Sequence, residues 1–317
     1  MPRIEEEATS EVGAVPRRII VVGEVLIDEL PDGREAVGGA PMNVAWNLRG
    51  LGQHPHLVSA VGSDESGKYI LSKAEEWGLS TADVQIDADR PTGRVKVTHD
   101  RGEPKYEIPT DQAFDFIRYP QGFADSFTAA ERPILYHGSL CGRSSVSFDT
   151  ILQLRRRFDS DIVVDINLRE GHYTHDLVDQ IVHGASVIKC NLDELRFLTD
   201  RATIRDHELA EAARSVVIKY GVREIWVTRG DRGAFWMDES GNHLHSDSSD
   251  PQLQIVDTVG AGDAFMASIL HGLAVNHTRA ESLRNGVQLA ARICSIAGPT
   301  PTTSDVYDDL FQTTVSE

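Results

Sequence analysis

The residues best equipped for chemistry stand near the C-terminus, in Asp257-Thr258-Val259-Gly260-Ala261-Gly262-Asp263-Ala264-Phe265. An apolar, β-prone approach (Leu253, Ile255, Val256) runs into a glycine-spaced turn, after which Phe265, Ile269, Leu270 and Leu273 recur at helical spacing. Gly260, Ala261 and Gly262 would leave backbone N–H groups bare at the start of that helix. Those donors and the positive end of the helix dipole form an anion site. Asp263 puts a carboxylate beside it. That pairing suits a base that deprotonates a hydroxyl as the hydroxyl attacks a held phosphoryl group. The plainer reading is a helix cap, because Asp is common in a first helical turn. This stretch alone leaves both open.

Other polar residues cluster just past short apolar runs, the edge at which open α/β sheets bind ligands. Gly23-Glu24-Val25-Leu26-Ile27-Asp28 offers Asp28, which as an ionised carboxylate would accept hydrogen bonds from two hydroxyls, or simply occupy a turn. In Gly38-Gly39-Ala40-Pro41-Met42-Asn43 the diglycine allows close backbone approach, and Asn43 is expected to start a helix. Asp165-Ile166-Asn167-Leu168-Arg169 offers a guanidinium fork for phosphate, or an ordinary surface Arg. Asn191 and Glu194 are three apart, so at a helix start they share a face, and they also spell a capping box. Thr228-Arg229-Gly230-Asp231-Arg232-Gly233 is by itself only a glycine turn.

The elements that must position these residues can be read from apolar spacing. Strand-like runs at Arg17–Gly23, Leu57–Val61, Ile134–Tyr136, Ile162–Ile166, Val187–Cys190 and Ile225–Thr228 alternate with helical patterns at Asn43–Leu51, Ser147–Phe158, His207–Tyr220 and Arg279–Ile296. This alternation predicts an α/β fold with a mostly parallel sheet and helices on both faces. Two stretches, 25–37 and 84–108, read instead as antiparallel hairpins with one polar face. Residues 1–16 read as a flexible acidic tail, and 17–317 as a single domain. The 317 residues are 40% hydrophobic and 25% charged, ordinary values for a soluble globular chain, and no apolar run approaches a membrane span. The acidic opening lacks a signal-peptide core, so a cytoplasmic protein is expected. A net charge of −18 disfavours nucleic-acid binding and means that a nucleotide would need local cations. Cys141, Cys190 and Cys294 are far apart and read as buried free thiols.

Asp-Thr-Val-Gly-Ala-Gly-Asp with its apolar helix, and Gly38-Gly39-Ala40-Pro41-Met42-Asn43-Val44-Ala45 running on to Leu51-Gly52, resemble the two signatures of the ribokinase family. This is the phosphofructokinase-B family of carbohydrate kinases, and the resemblance runs from about Arg18 to about Pro299. It implies a ribokinase-like fold in which the two hairpins form a small β lid over the sugar. It also implies ATP as donor and Asp263 as base, with Gly260, Ala261 and Gly262 as the anion hole. Asp28, Gly39, Asn43, Asn167 and Arg169 would meet the sugar, and Lys189, Thr228, Gly230, Gly233 and Asn285 the nucleotide. Asn191 and Glu194 would hold Mg²⁺ through its waters. A monovalent cation such as K⁺ and a homodimer through paired lids belong to the same expectation. Gly298-Pro299-Thr300-Pro301 stands where the family usually has a Gly-Ala pair, so the resemblance does not carry over the details of the adenine pocket and of any cation loop.

The motifs look most like fructokinases. A 2-keto-3-deoxygluconate kinase shares the D-x-N-x-R pattern and would draw on Arg94, Lys96, Arg101 and Lys105, whereas a nucleoside kinase would stack its base on Tyr106, Phe114 or Phe116. A catalytically silent sugar sensor is the alternative from another class, although the base, the glycines and the N-x-x-E pair are all present. No Walker loop occurs. The pairs His54/His56, His172/His175 and His243/His245 read as surface histidines rather than metal ligands.

Overall fold

The computed structural model describes residues 16–29, 33–100, 103–247 and 254–310, without side chains for 97–106. The expected tail up to residue 15, the turn tip Pro31-Asp32, Arg101-Gly102 and Leu253 lie outside the described residues. The first half of the chain contains β1 (Ile19–Val22), β2 (Leu26–Glu29), β3 (Glu35–Gly38), α1 (Ala40–Gly50), β4 (His56–Gly62), α2 (Glu65–Glu76), β5 (Val84–Asp87), β6 (Gly93–Asp100) and β7 (Glu103–Glu107). It continues with β8 (Ile134–His137), α3 (Ser145–Arg157), β9 (Asp161–Asp165), α4 (His175–Val182), β10 (Val187–Asn191) and α5 (Leu192–Thr199). The last part contains α6 (Leu209–Tyr220), β11 (Glu224–Thr228), β12 (Ala234–Asp238), β13 (His243–Ser246), α7 (Ala261–Ala274) and α8 (Arg279–Cys294).

Among the described residues the main sheet has nine strands in the order β13-β12-β11-β10-β9-β8-β1-β4-β5. Neighbours are parallel from β11 through β5, and β12 and β13 extend one edge antiparallel. The strands are apolar on both faces because both are covered. Ile19 and Val21 of β1 pack with Met42 of α1, Ile70 of α2, Phe265 of α7 and Leu283 of α8. The alternate residues Ile20 and Val22 join Ile151 and Leu154 of α3. Farther along the sheet, Val164, Ile188 and Ile225 pack with α4, α5 and α6 through Val178, Leu195 and Val216. α7 is buried from Ala264 to Ala274, which explains why its sequence is apolar on every side.

The second sheet has the order β3-β2-β6-β7. Its two hairpins, β2/β3 and β6/β7, are antiparallel as expected, but they join through a parallel β2–β6 pair, so the sheet is mixed. The segment 84–108 does not all belong to it. Val84–Asp87 is the far edge of the main sheet, paired parallel to β4 from Ser59↔Val84 to Gly62↔Asp87. The helix α2 between β4 and β5 makes this a strand–helix–strand crossover, which returns the chain to the same sheet. At the entry to β6, Thr92 N–H and Oγ1–H donate to Asp64 at 2.8 and 2.6 Å, while Gly62 N–H donates to Thr92 Oγ1 at 2.9 Å.

Candidate active site

The chain runs outward from β1 through β4 to β5 on one side and through β8 to β11 on the other. The carboxyl ends of strands flanking such a switch form a crevice. Here residues after β1, β9, β10 and β11 meet the N-terminus of α7 and the small sheet around a cleft of about 600 Å³.

α7 begins at Gly260, whose φ of 81° is one that glycine adopts readily, and whose Cβ, if present, would lie 2.6 Å from Pro299. The amides of Gly262 and Asp263 have no backbone partner among the described residues. The Ala261 amide, expected in the anion hole, instead donates to the Thr258 carbonyl at 3.3 Å. Asp263 does not cap its helix. Its Oδ2 accepts a hydrogen bond of 2.8 Å from Asn43 Nδ2, joining signatures that lie 220 residues apart. Burial in the cleft floor raises the Asp263 carboxyl above its ordinary range, and the Asn43 bond pulls it back down.

Asn43 does not start α1. Gly39 does, with φ 99° and Pro41 in the first turn, and Asn43 N–H donates to the Gly39 carbonyl at 2.9 Å. The side chain of Asn43 is thereby aimed across at α7 rather than spent on a cap. The diglycine is required by close approach: a Cβ on Gly39 would come within 2.5 Å of the Glu24 carbonyl, and one on Gly38 would overlap the Asp28 carboxylate. Burial pushes Asp28 up to about 6, with the Arg169 charge opposing the shift.

Asn167, after β9, holds a φ of 37° that few side chains adopt, and its Oδ1 accepts from Arg169 Nη1 at 2.7 Å. Asp28, Gly39, Asn43, Asn167 and Arg169 all line the cleft. Lys189 lines it too, but its ammonium lies against the buried Asp165 at 3.0 and 3.1 Å. Burial lowers the Lys189 pKa, and the charges of Asp165 and Glu194 more than offset this. Asp165 was present in the sequence motif without a role, and no sequence feature tied it to Lys189.

Asn191 and Glu194 form the capping box of α5, and both line the cleft. Glu194 accepts from the amides of Asn191 at 2.8 Å and Leu168 at 2.9 Å, one on each oxygen. Each carboxylate oxygen keeps a further lone pair, so the cap does not preclude a water-bridged cation. No group of three or more His, Cys, Asp or Glu able to hold a metal occurs among the described residues. Of the histidines, His56 pairs with Asp83 at 2.9 Å and His172 with Arg143 at 3.0 Å.

Thr228, Gly230 and Gly233 border the other end of the cleft. Val287, Ala290, Ala291 and Cys294 of α8 face it at spacings of three and four. Asn285 does not line it: two residues before Val287, it projects from another side of α8 and is buried. Cys294 is half-buried at the cleft wall, unlike the buried Cys141 and Cys190. Ile255 and Val256, expected in a strand, are 64% and 57% exposed in an irregular approach, and Ile255 lines the cleft mouth. Sequence reading missed Glu24 as well, a single acid with no partner at recognisable spacing.

The profile of the pfkB family carbohydrate kinases matches residues 12–305. The chain belongs to this family. It is an ATP-dependent sugar kinase with the ribokinase-like fold. It is similar to the fructokinase of Salmonella typhimurium, 27% identical over 271 residues that cover 82% of this chain and 85% of that one. It is also similar to the ATP-dependent 6-phosphofructokinase of Thermoanaerobacterium thermosaccharolyticum, 25% identical over 293 residues and 86% of each chain. Among solved structures, fructokinase from Xylella fastidiosa with bound ATP superposes with a TM-score of 0.77 over 92% of this pfkB kinase and 98% of that chain, at 20% identity. That likeness shows the shared fold. No described helix of this kinase is long and apolar enough to cross a membrane.

Proposed function

We propose that this kinase transfers the γ-phosphoryl group of ATP to a hydroxyl of a neutral sugar, with fructose the first candidate. The observation that carries the reading is the junction of Asp263, its Asn43 partner and the amides of Gly262 and Asp263. Asp263 takes the proton from the attacking hydroxyl, and Asn43 holds the carboxylate in line. The two amides and the α7 dipole meet charge on the transferring group. Asp28 accepts from sugar hydroxyls, while Arg169, aimed by Asn167, supplies a cation at the same end. Thr228, Gly230, Gly233 and the α8 wall receive the nucleotide. Asn191 and Glu194 fit Mg²⁺ held through water; when bound with ATP it would neutralise phosphate charge. The small sheet acts as a lid that keeps water from the phosphoryl group.

Charge separates the candidate sugars. Glu24, Asp28 and Asp263 share the cleft with Arg169, an unfavourable setting for a carboxylate or phosphate on the substrate. Arg94, a candidate cation for a sugar acid, is held by Glu29 at 2.7 Å, by Glu35, and by Ser66 at 2.6 Å. Lys96 is exposed, Arg101 lies outside the described residues, and the Lys105 and Tyr106 side chains are among those not described. Phe114 is fully buried and Phe116 lies under Arg90, so neither offers a nucleoside base a face, while Leu26, Val95, Ile108 and Leu140 make an aliphatic wall. The fructokinase relative supports fructose within the neutral class. A cytoplasmic setting fits the phosphorylation of a free sugar with ATP, and a homodimer through paired lids goes with the same reading.

The test is Mg²⁺-ATP turnover, read as ADP release, on fructose, ribose, 2-keto-3-deoxygluconate, fructose 6-phosphate and adenosine, in Na⁺ and in K⁺ buffer. Preference for fructose is expected. Preference for the keto-acid or the phosphate would overturn the charge argument, and ligand-dependent stabilisation with no turnover would favour a sensor. Equal rates in the two buffers would remove K⁺ from the scheme.

A further inference from the structure

Glu24, two residues past the end of β1, has no task in the scheme above. It is 3% exposed and lines the cleft, and its Oε2 makes no hydrogen bond among the described residues. A buried carboxyl oxygen without a partner is costly and requires a reason. The charged groups near it are already engaged. Arg143 grips Asp115 at 2.8 Å through two nitrogens and also donates to the Pro109 carbonyl at 2.6 Å. Arg169 is turned to Asn167, and Asp263 to Asn43. On the remaining side Glu24 packs against Gly39, where a Cβ would meet its carbonyl oxygen at 2.5 Å and its Cγ at 3.4 Å.

Resting on the kinase reading, we propose that Glu24 is a specificity-determining residue whose Oε2 pairs with one hydroxyl of the bound sugar. A hydroxyl satisfies this oxygen in either protonation state, as donor to a carboxylate or as acceptor from a carboxylic acid. Neither a hydrogen atom in its place nor an anionic substituent does so. The oxygen is covered in the present conformation, so the pair forms as the sugar enters and the Gly38-Gly39 segment adjusts. A site built around a hydroxyl rejects the analogue lacking it far more strongly than an apolar wall rejects a change of size.

The experiment compares the full chain, Glu24→Ala and Glu24→Gln on fructose and on a set of singly deoxygenated fructose analogues, with kcat and KM determined separately. Wild type should discriminate against one analogue by about 10- to 100-fold in kcat/KM. Glu24→Ala should reduce that one preference to within about 3-fold, mainly through KM, and leave the preferences against the other analogues unchanged. Glu24→Gln should retain part of it. Preferences identical to wild type across the whole set would overturn the assignment. If Glu24→Ala does not fold, as judged by melting with Mg²⁺-ATP, Glu24→Gln decides: a preference lowered by at least about 3-fold supports the pair, and an unchanged one removes it. Absence of ADP release by wild type would strike the kinase reading instead, and would show before any variant was compared.

Discussion

Asp263 is the residue whose surroundings depart most from those of an ordinary helix-start carboxylate. Asp263→Asn should keep sugar binding by calorimetry within a few-fold while ADP release falls by about 10²-fold or more; near-normal turnover would exclude it as the base. The pH profile is a second check. Burial raises Asp263, and Asp28 to about 6, so both bind protons at higher pH than free carboxylates do. Protonation of Asp28 should therefore make kcat/KM fall as pH drops through about 6, and protonation of the raised Asp263 should deepen that fall. Asn43→Ala removes the bond that lowers the Asp263 pKa, and should move the Asp263 contribution to the acid limb to higher pH. Glu24 acts on stability with the opposite sign to a salt-bridged acid. Burial raises it from 4.5 to about 7, so the folded chain binds its proton more tightly and loses stability as pH rises across that range. The loss is about 3 kcal/mol, and Glu24→Gln should melt higher than wild type at pH 8 and close to it at pH 5. At this scale the sequence displayed Asp263 because it stands beside glycines at a helix start. It hid Glu24 and the Asp165–Lys189 pair, whose meaning comes only from which strand ends lie side by side.

At the scale of elements, α1 shows how a glycine can decide where a side chain points. Gly39 starts the helix with φ 99°, and Asn43 consequently falls one turn inside. Gly39→Ala meets both an unfavourable φ and the Glu24 carbonyl, and should cost at least about 2 kcal/mol in denaturant unfolding and more than 10-fold in kcat/KM. A loss of stability with unchanged kcat/KM would separate the helix start from the site. Asn is a good cap, so the sequence placed the helix boundary at Asn43; Pro41, favoured in a first turn, was the stronger signal. α2, α4, β12 and β13 went unread, whereas α3, α6, α7 and α8 and the strands β1, β4 and β8 to β11 were legible within a few residues, because each is a short apolar run or an amphipathic period. β5 was not: Val84 and Ile86 alternate as any edge strand does, and only the crossover through α2 assigns the sheet. Asn285 was misplaced because its side of α8 depends on a phase that a motif match does not supply.

For the whole molecule, the net charge of −18 sets a field that an anionic nucleotide must approach against. Raising ionic strength from about 0.02 to 0.2 M at constant free Mg²⁺ should lower the KM for ATP, because the Debye length shrinks below the distance to most surface acids. A KM that rises with salt would mean that local cations dominate the approach. The parallel sheet, its two covered faces and the position of the cleft at the strand ends all followed from alternating runs in the sequence. The mixed pairing of the small sheet did not, since β2 and β6 are separated by β3, α1, β4, α2 and β5. That small sheet is joined to the body by four crossings of the chain: after β1, after β3, before β6 and after β7. A flap sewn along one margin at several stitches has one easy movement, bending about the seam, whereas sliding or twisting would stretch at least one stitch. One of these stitches, Thr92, is fastened by Asp64, and another, the diglycine, packs closely on Glu24 and Asp28. Bending about the seam would therefore pivot on these two close-packed points and change the distance between Asp28, carried on β2, and Asp263 on the body.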